Sequence, residues 1–544
     1  MKKFFDKVKE KKFFWFLFAC ILILGIFLRT YNFHDWLRFS MDQSRDALII
    51  SKAISGEEKL PLLGPLAGGT DFHLGPAYYY FSYLSAKIFG NEPDKMAFPS
   101  LFFSILAMPL LFVFLREYFD RKISLILMAI MSISYFSIVY SRFSSNPNIT
   151  PFFVLLLLYT FLKVLNRKKD NDWLWFSLMG MALGIGIQLH TTLLVILPFA
   201  TLAVFAYLFK KYGGKMIKGF FVVLAFALIL NSGQIANEIK TDGANTKAFF
   251  KGIEKKSGGE SFTKRLLLIS SCQARANSNI ISSLPTIENC SKNYDLSKPA
   301  PKEQLGDMIS SRYPRRAVFW SGIVFSILFS LFGYALLVFY FLKEKEEKAK
   351  NFLGTVLLFN SISLVFLFPI TLYISINYFI FLFFVPFVLL GLFYKFLTEK
   401  FGNLGRNVFF AVIFILLCSS FMVDRNAYRK YANGLNNNVG NSDLEEVEEI
   451  FSYMLEKSSK NPVLLSGRIG YVERFSEPLV YFFSVSGKEI LELKSNSISN
   501  LEVSEVFYIQ KKGSEDIKKD KIVDGFSVTD GKRFKAVDVY FIKK

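Results

Sequence analysis

The sequence predicts an α-helical polytopic membrane protein of about eleven spans, ending in a small extracytoplasmic α/β domain. Three observations lead there. Of the 544 residues 52% are hydrophobic, 63 are Phe and the mean hydropathy is +0.34, beyond what a soluble chain needs to fill its core. The lysines and arginines fall mostly in short segments between apolar runs, where they act as topology signals. After residue 423 the long apolar runs stop, and a helical stripe and short strand-like segments replace them. The formal charge of +20 therefore belongs to membrane-flanking loops rather than to a nucleic-acid partner, and no nucleic-acid-binding motif is present. With only 4 Cys, neither a zinc ribbon nor an iron–sulfur scaffold fits.

Lys2, Lys3, Lys7, Lys9, Lys11 and Lys12 precede an apolar run, 13–28, whose length suits a signal peptide. No small-residue cleavage site follows, and Arg29-Thr30-Tyr31-Asn32 comes next, so an uncleaved first span with a cytoplasmic N-terminus is expected. Residues 77–89 read as an interfacial helix that does not cross. The following spans are then 98–115, 123–140, 152–165, 173–189, 193–209 and 219–230. With that count Arg121-Lys122, Arg167-Lys168-Lys169 and Lys210-Lys211 all face inside; were 77–89 a span, each would face outward. A polar segment, 231–316, holds Cys272 and Cys290 without a long apolar run, and reads as an outer loop or small domain. Spans 318–342, 352–372, 378–397 and 408–423 complete the set. The chain thus divides into a membrane unit, 1–423, with outer loops 29–97 and 231–317, and an outer domain, 424–544.

In that domain Ser442 and Glu445 form a capping box, and Leu444, Val447, Phe451, Met454 and Leu455 make one stripe, so 443–457 is an amphipathic helix. Strand candidates are 463–465, 506–509 and 536–542, with a second helix at 478–484. The domain carries no catalytic or phosphate-binding motif, and the chain no internal repeat.

The charged, glycine-rich stretch 40–81 stands between apolar runs, and chemistry belongs there. Ser40 and Gln43 fit a capping box, which starts a helix with Asp42 in its first turn, near the positive end of the dipole. Asp42, Arg45 and Asp46 share one face at i, i+3 and i+4. Ala47, Ile50 and Ile54 fall on another, which suits a helix lying along a membrane surface. Gly64, Pro65, Gly68 and Gly69 then break regular structure before His73-Leu74-Gly75-Pro76 opens an aromatic helix.

Asp42 is the leading catalytic candidate, since a carboxylate beside apolar helices can act as general base toward an incoming hydroxyl. Arg45 and Asp46 are either substrate contacts or solvated helix charges. His73 and Tyr78 are candidate substrate contacts, against the alternative of aromatic packing. Arg142, after the third span, can pair with a carboxylate or a lipid phosphate. Arg312, Arg315 and Arg316 stand at the outer end of a span, against the charge bias, where they hold a phosphate headgroup or simply snorkel.

Taken together, Arg29-Thr30-Tyr31, Asp42, His73-Leu74-Gly75-Pro76-Ala77-Tyr78-Tyr79-Tyr80, Ser141-Arg142 and Asn146-Pro147-Asn148 resemble the polyprenyl-phosphate-dependent membrane glycosyltransferases of the C-type fold. The resemblance is to glycosyltransferase family 39, with the protein O-mannosyltransferases and lipid A aminoarabinose transferases, and runs from the first span to the polar tail. It implies inverting transfer of one sugar from a polyprenyl-phosphate carrier to a lipid, glycan or protein hydroxyl on the outer face of the plasma membrane. Asp42 is then the base, and Arg45, Asp46, His73, Tyr78, Arg142, Arg315 and Arg316 stay the candidate substrate contacts read from the residues themselves. No Trp-Trp-Asp motif is present, which argues against en bloc glycan transfer. No cofactor is expected, since the outer loops offer few clustered carboxylates for a divalent ion. A transporter or lipid flippase is the rival reading; it calls for ionisable residues in mid-span or paired interrupted helices, and the charge lies in the loops instead. Cys272 and Cys290, sharing one outer loop, are expected to form a disulfide.

Overall fold

The computed structural model describes residues 2–167, 172–257, 261–283, 315–432, 442–458, 460–493, 504–514 and 526–544. Helix α1 (Lys2–Thr30) leads through a turn to α2 (Met41–Ser55), and a glycine-rich loop connects to α3 (Ala77–Phe89). Then follow α4 (Pro93–Leu115), α5 (Arg121–Ile133), the one-turn α6 (Tyr135–Val139), α7 (Thr150–Leu165), α8 (Trp173–Leu189), α9 (Leu193–Tyr212) and α10 (Ile217–Leu230). Three polar helices, α11 (Ser232–Lys240), α12 (Ala244–Ser257) and α13 (Phe262–Ser282), precede α14 (Arg315–Lys343), α15 (Glu347–Leu367) and α16 (Val385–Ala432). One apolar core runs through most of this bundle, from Phe14 and Leu111 to Phe384 and Leu392.

Among the described residues, seven helical stretches are long and apolar enough to cross a membrane. Two of them, Leu193–Leu230 and Val385–Tyr431, reach 38 and 47 residues, well beyond a single crossing. The second breaks at Gly402, whose φ of +56° lies in the left-handed region open to glycine. Helix α3, with 13 residues, is too short to span.

Two elements depart from the sequence reading. The expected span 123–140 is two helices, because Ser134 is extended at their junction and its hydroxyl donates to the Ile280 carbonyl at 2.6 Å. The segment 231–316, read as an outer loop or small domain, contains α13, which packs on α14 and α16 inside the bundle. Its polar side chains are paired there. The Gln273 amide donates to Tyr334 Oη at 2.7 Å and to Asn360 Oδ1 at 2.5 Å, Tyr334 donates to Asn360 at 3.0 Å, and Asn277 donates to Ser330 at 3.2 Å. A hydropathy pattern registers polarity but not whether a partner waits for it. Cys272 is buried and disulfide-bonded, while Cys20 and Cys418 are free; Cys290 and Arg312 lie outside the described residues.

The C-terminal domain begins with α17 (Leu444–Lys457), then β1 (Val463–Gly467), α18 (Ile469–Val485), β2 (Ile490–Glu492), β3 (Glu505–Lys511), β4 (Ser527–Arg533) and β5 (Val537–Lys543). The sheet order is β2-β1-β3-β5-β4. Strand β1 runs parallel to β2 and β3, with α18 as the crossover to β2, while β5 is antiparallel to β3 and β4. Alternate residues Val537, Val539 and Phe541 join Phe507, Ile509, Val447 and Phe475 in one core. The three expected strands and both helices are present, α18 starting nine residues before its expected position. β2 and β4 were not expected: β2 has three residues, and β4 is mostly polar and exposed. The expected capping box does not form; Asp443 is the N-cap of α17, and the Ser442 hydroxyl donates to the Phe39 carbonyl.

That last contact belongs to the joint between the two parts. The Phe39 N–H donates to the Ser442 carbonyl and the Leu444 N–H to the Leu37 carbonyl, each at 2.9 Å, so the chain entering α2 pairs with the chain entering α17. Helix α18 lies on α2, and Tyr481 packs with Phe39, Ala47 and Ile50. The apolar face of α2, expected to lie on a membrane surface, is thus covered by protein. Nearby, His34 sits 3.0 Å from Glu448 and 3.5 Å from Asp94. Its pKa is raised, since the two carboxylates outweigh the opposing effect of partial burial.

Candidate active site

Helix α2 starts at Ser40, whose N–H and hydroxyl both donate to Gln43 Oε1, at 3.3 and 2.6 Å. The other end of the Gln43 amide donates to the Ser144 carbonyl at 3.1 Å, which ties the first turn to the loop 140–149. Asp42 occupies that turn with its side chain 71% exposed. Arg45 Nη1 reaches Asp42 Oδ1 at 3.0 Å, and its Nε and Nη2 reach Asp46 Oδ1 at 3.0 and 2.8 Å. Tyr79 of α3 donates to the same Asp46 oxygen at 2.9 Å. The four groups form one continuous chain, Tyr79–Asp46–Arg45–Asp42.

The two carboxylates end up in opposite environments, although they lie one turn apart. Asp46 is 5% exposed, so it is neither a solvated helix charge nor placed to touch a substrate here. Burial raises its pKa to about 6 against the pull of Arg45 and Tyr79, which favour the ionised form. Burial works against the Arg45 charge as well, but Asp46 and Asp42 together hold its pKa above the usual value. Asp42 alone presents a carboxylate to solvent, at the N-terminal end of the helix.

The remaining sequence candidates surround this chain in supporting positions. Tyr78 is fully buried, 2.7 Å from Ser100 Oγ and accepting the Ser145 N–H at 3.0 Å, so it braces the loop 140–149 rather than facing a substrate. Arg142 donates to the carbonyls of Arg29 and Asn32, both at 2.9 Å, with its guanidinium over the Phe33 ring. It fixes the turn that follows α1. The His73 ring lies 2.8 Å from the Gly64 carbonyl, and its backbone exchanges two hydrogen bonds with the Asn245 side chain, which pins the loop to α12. That loop closes tightly: a Cβ on Gly64 would lie 2.2 Å from the Gly75 carbonyl, and one on Gly75 would lie 2.4 Å from Gln188. Only glycine fits at either place. Arg315 and Arg316 open α14, where only the backbone is described. Among the described residues, no three His, Cys, Asp or Glu side chains gather into a metal-binding group.

Three residues at this site were given no role by the sequence. Tyr79 looked like one of a row of packing aromatics, and its partner is 33 positions away. Asn146 stands in the Asn146-Pro147-Asn148 motif without a role assigned to it and Arg38 in no motif, yet both have buried polar nitrogens without a hydrogen-bond partner among the described residues.

Residues 73–234, which include α3 and the helices that hold its base, match a family described as dolichyl-phosphate-mannose-protein mannosyltransferase. Among solved structures, ArnT from Cupriavidus metallidurans bound to undecaprenyl phosphate is similar over 97% of each chain, at 9% identity and a TM-score of 0.51. The apo form of that protein is similar over 98% of each chain, at the same identity and TM-score. An oligosaccharyltransferase from Archaeoglobus fulgidus aligns over 92% of this chain and 69% of its own, at 13% identity and a TM-score of 0.49. No curated protein matches the chain in sequence. The chain has the C-type membrane glycosyltransferase fold, shared with ArnT.

Proposed function

We propose that this protein transfers a monosaccharide, a hexose or pentose, from a polyprenyl-phosphate carrier to a hydroxyl of a lipid, glycan or protein on the outer face of the membrane, with inversion. The observation that carries this reading is the placement of Asp42. It is the exposed carboxylate in the first turn of a helix whose Gln43, Ser44 and Asp46 are buried, so it is the carboxylate of that turn placed to meet an acceptor. The carrier class is supported by the family signature and by the undecaprenyl phosphate that ArnT, a protein of the same fold, binds.

In the proposed reaction the acceptor oxygen attacks the anomeric carbon while Asp42 takes its proton. The bond from anomeric carbon to phosphate oxygen breaks, and the carrier phosphate leaves with the electron pair. Phosphate is a good leaving group, so the site needs a base and cations but no general acid and no resident cofactor. Arg45 keeps one Asp42 oxygen oriented through their 3.0 Å contact, which leaves the other for the proton. Asp42→Asn keeps the shape and removes the base. With equal protein levels in membranes and a lipid-linked sugar donor, turnover should fall by about a hundredfold to ten-thousandfold, with donor binding little changed. Near-wild-type turnover in Asp42→Asn would show that this helix is not the catalytic one.

A further inference from the structure

We infer that His34 locks the C-terminal domain onto the bundle as an imidazolium, which makes the joint between them a latch that loosens when the proton is lost. The ring lies in the turn between α1 and α2, with one nitrogen toward each part of the molecule. Its Nε2 stands 3.0 Å from Glu448 Oε2 on α17, and its Nδ1 stands 3.5 Å from Asp94 Oδ2 in the first turn of α4. An ionised carboxylate only accepts hydrogen bonds, while a neutral imidazole has one donor and one acceptor nitrogen. Neutral His34 would therefore turn a lone pair on one of the two carboxylates. Both contacts are met only when both nitrogens carry a proton. Of the three groups the imidazole has the highest reference pKa, about 6.5 against about 3.9 and 4.3, so a proton held among them rests on the ring.

The neighbouring charges do not replace it. Lys95 Nζ reaches Asp94 Oδ2 at 2.7 Å, but Asp94 is 3% exposed and its other oxygen is buried without a hydrogen-bond partner among the described residues. Asp35, beside His34 in its own turn, adds negative charge near Glu448, as Asp94 does. Glu92, just before α4, adds more near Tyr481 of α18. The Tyr481 hydroxyl itself is pushed up to about 12, mainly by burial, and stays neutral over the range in which the ring titrates. Partial burial lowers the pKa of His34, but Glu448 and then Asp94 outweigh it and raise the value. The stabilisation is accordingly complete below about pH 6.5 and is lost as the pH rises through the folded value above that. What it holds is the pairing of the chains that enter α2 and α17, Phe39 with Ser442 and Leu444 with Leu37. Loss of the proton is therefore felt at the entry to the helix that carries Asp42.

The joint reports its own state through the Phe39 and Leu444 amides, which bond across it. In full-length protein in detergent, their hydrogen exchange, corrected for its intrinsic pH dependence, should run about threefold to fivefold faster at pH 9 than at pH 6, the size of effect a half-exposed ion pair supplies. His34→Gln, which cannot be charged, should exchange equally at both pH values and at the faster level. Glu448→Gln should also lose the pH response but stay slow, since an amide can donate to the lone pair of the ring. The chain has 3 His, so nitrogen-labelled histidine gives few enough ring signals to assign His34 by its loss in His34→Gln. Its ring should titrate with a midpoint above that of the unfolded chain, and the midpoint should move down in Glu448→Gln. A wild type whose Phe39 and Leu444 amides exchange alike at pH 6 and pH 9, or a folded His34→Gln that keeps the wild-type response, overturns the latch. A His34 midpoint at or below the unfolded value overturns the imidazolium itself.

Discussion

At the scale of single residues, the buried Asp46 governs the exposed Asp42 through Arg45. An aspartate whose folded pKa is raised to about 6 binds its proton more tightly in the folded protein than in the unfolded chain, where the value is about 3.9. Its favourable contribution is therefore full below about pH 4 and is lost as the pH rises through 6. Ionised Asp46 is a cost at neutral pH, which the contact with Arg45 repays in position. Once Asp46 is protonated, Arg45 is left with Asp42 as its one charged partner and holds that carboxylate more firmly away from an acceptor. Wild-type turnover should accordingly decline as the pH falls through about 6. Asp46→Asn mimics the protonated state, so at pH 8 it should show the reduced turnover that the wild type shows at pH 5, with a flat profile between. It should also melt no lower than the wild type at pH 8. A variant that keeps the wild-type acid limb assigns that limb to another group. The start of this arrangement was legible in Ser40, Asp42 and Gln43, because a capping box is a local pattern. Its control was not, because the Tyr79–Asp46 contact joins helices that nothing in their separate periodicities brings together.

At the scale of elements, α2 is held from two sides, by the membrane bundle through Gln43 and Asp46 and by the C-terminal domain through α18. Its amphipathicity was plain from Ala47, Ile50 and Ile54, but periodicity says only that a face is covered, not by what. The cover is Tyr481, 2% exposed, whose hydroxyl lies 3.4 Å from Ser51 Oγ. Removing a buried aromatic side chain typically costs about 3–5 kcal/mol. In Tyr481→Ala that loss falls on the α2–α18 interface, so amide exchange across residues 41–55 should accelerate while the bundle helices keep their protection. Unchanged exchange in α2 would mean that the bundle alone holds it. The reading of α13 as loop failed for the complementary reason. Gln273 and Asn277 look like water-facing residues in sequence, and only Tyr334, Asn360 and Ser330, on later helices, make their burial tolerable.

At the scale of the whole molecule, the apolar runs and the basic segments between them predicted the bundle, since hydropathy and charge bias are written directly in composition. The expected orientation places both the α2 site and the C-terminal domain outside. A reporter active only in the cytoplasm, fused after Lys544, should be silent, and activity there would reverse the domain's side. The buried position of α13 also orders the protein's biogenesis. A helix carrying Gln273, Arg275, Asn277 and Ser278 on its buried surface has little reason to leave water as it emerges from the ribosome. The walls that satisfy it, α14, α15 and α16, are synthesised afterwards. It should therefore dock only once the last span is in place, so that in chains truncated before α16, residues 262–282 stay open to protease. On that order the closing piece of this bundle would come from the middle of the chain rather than from its end.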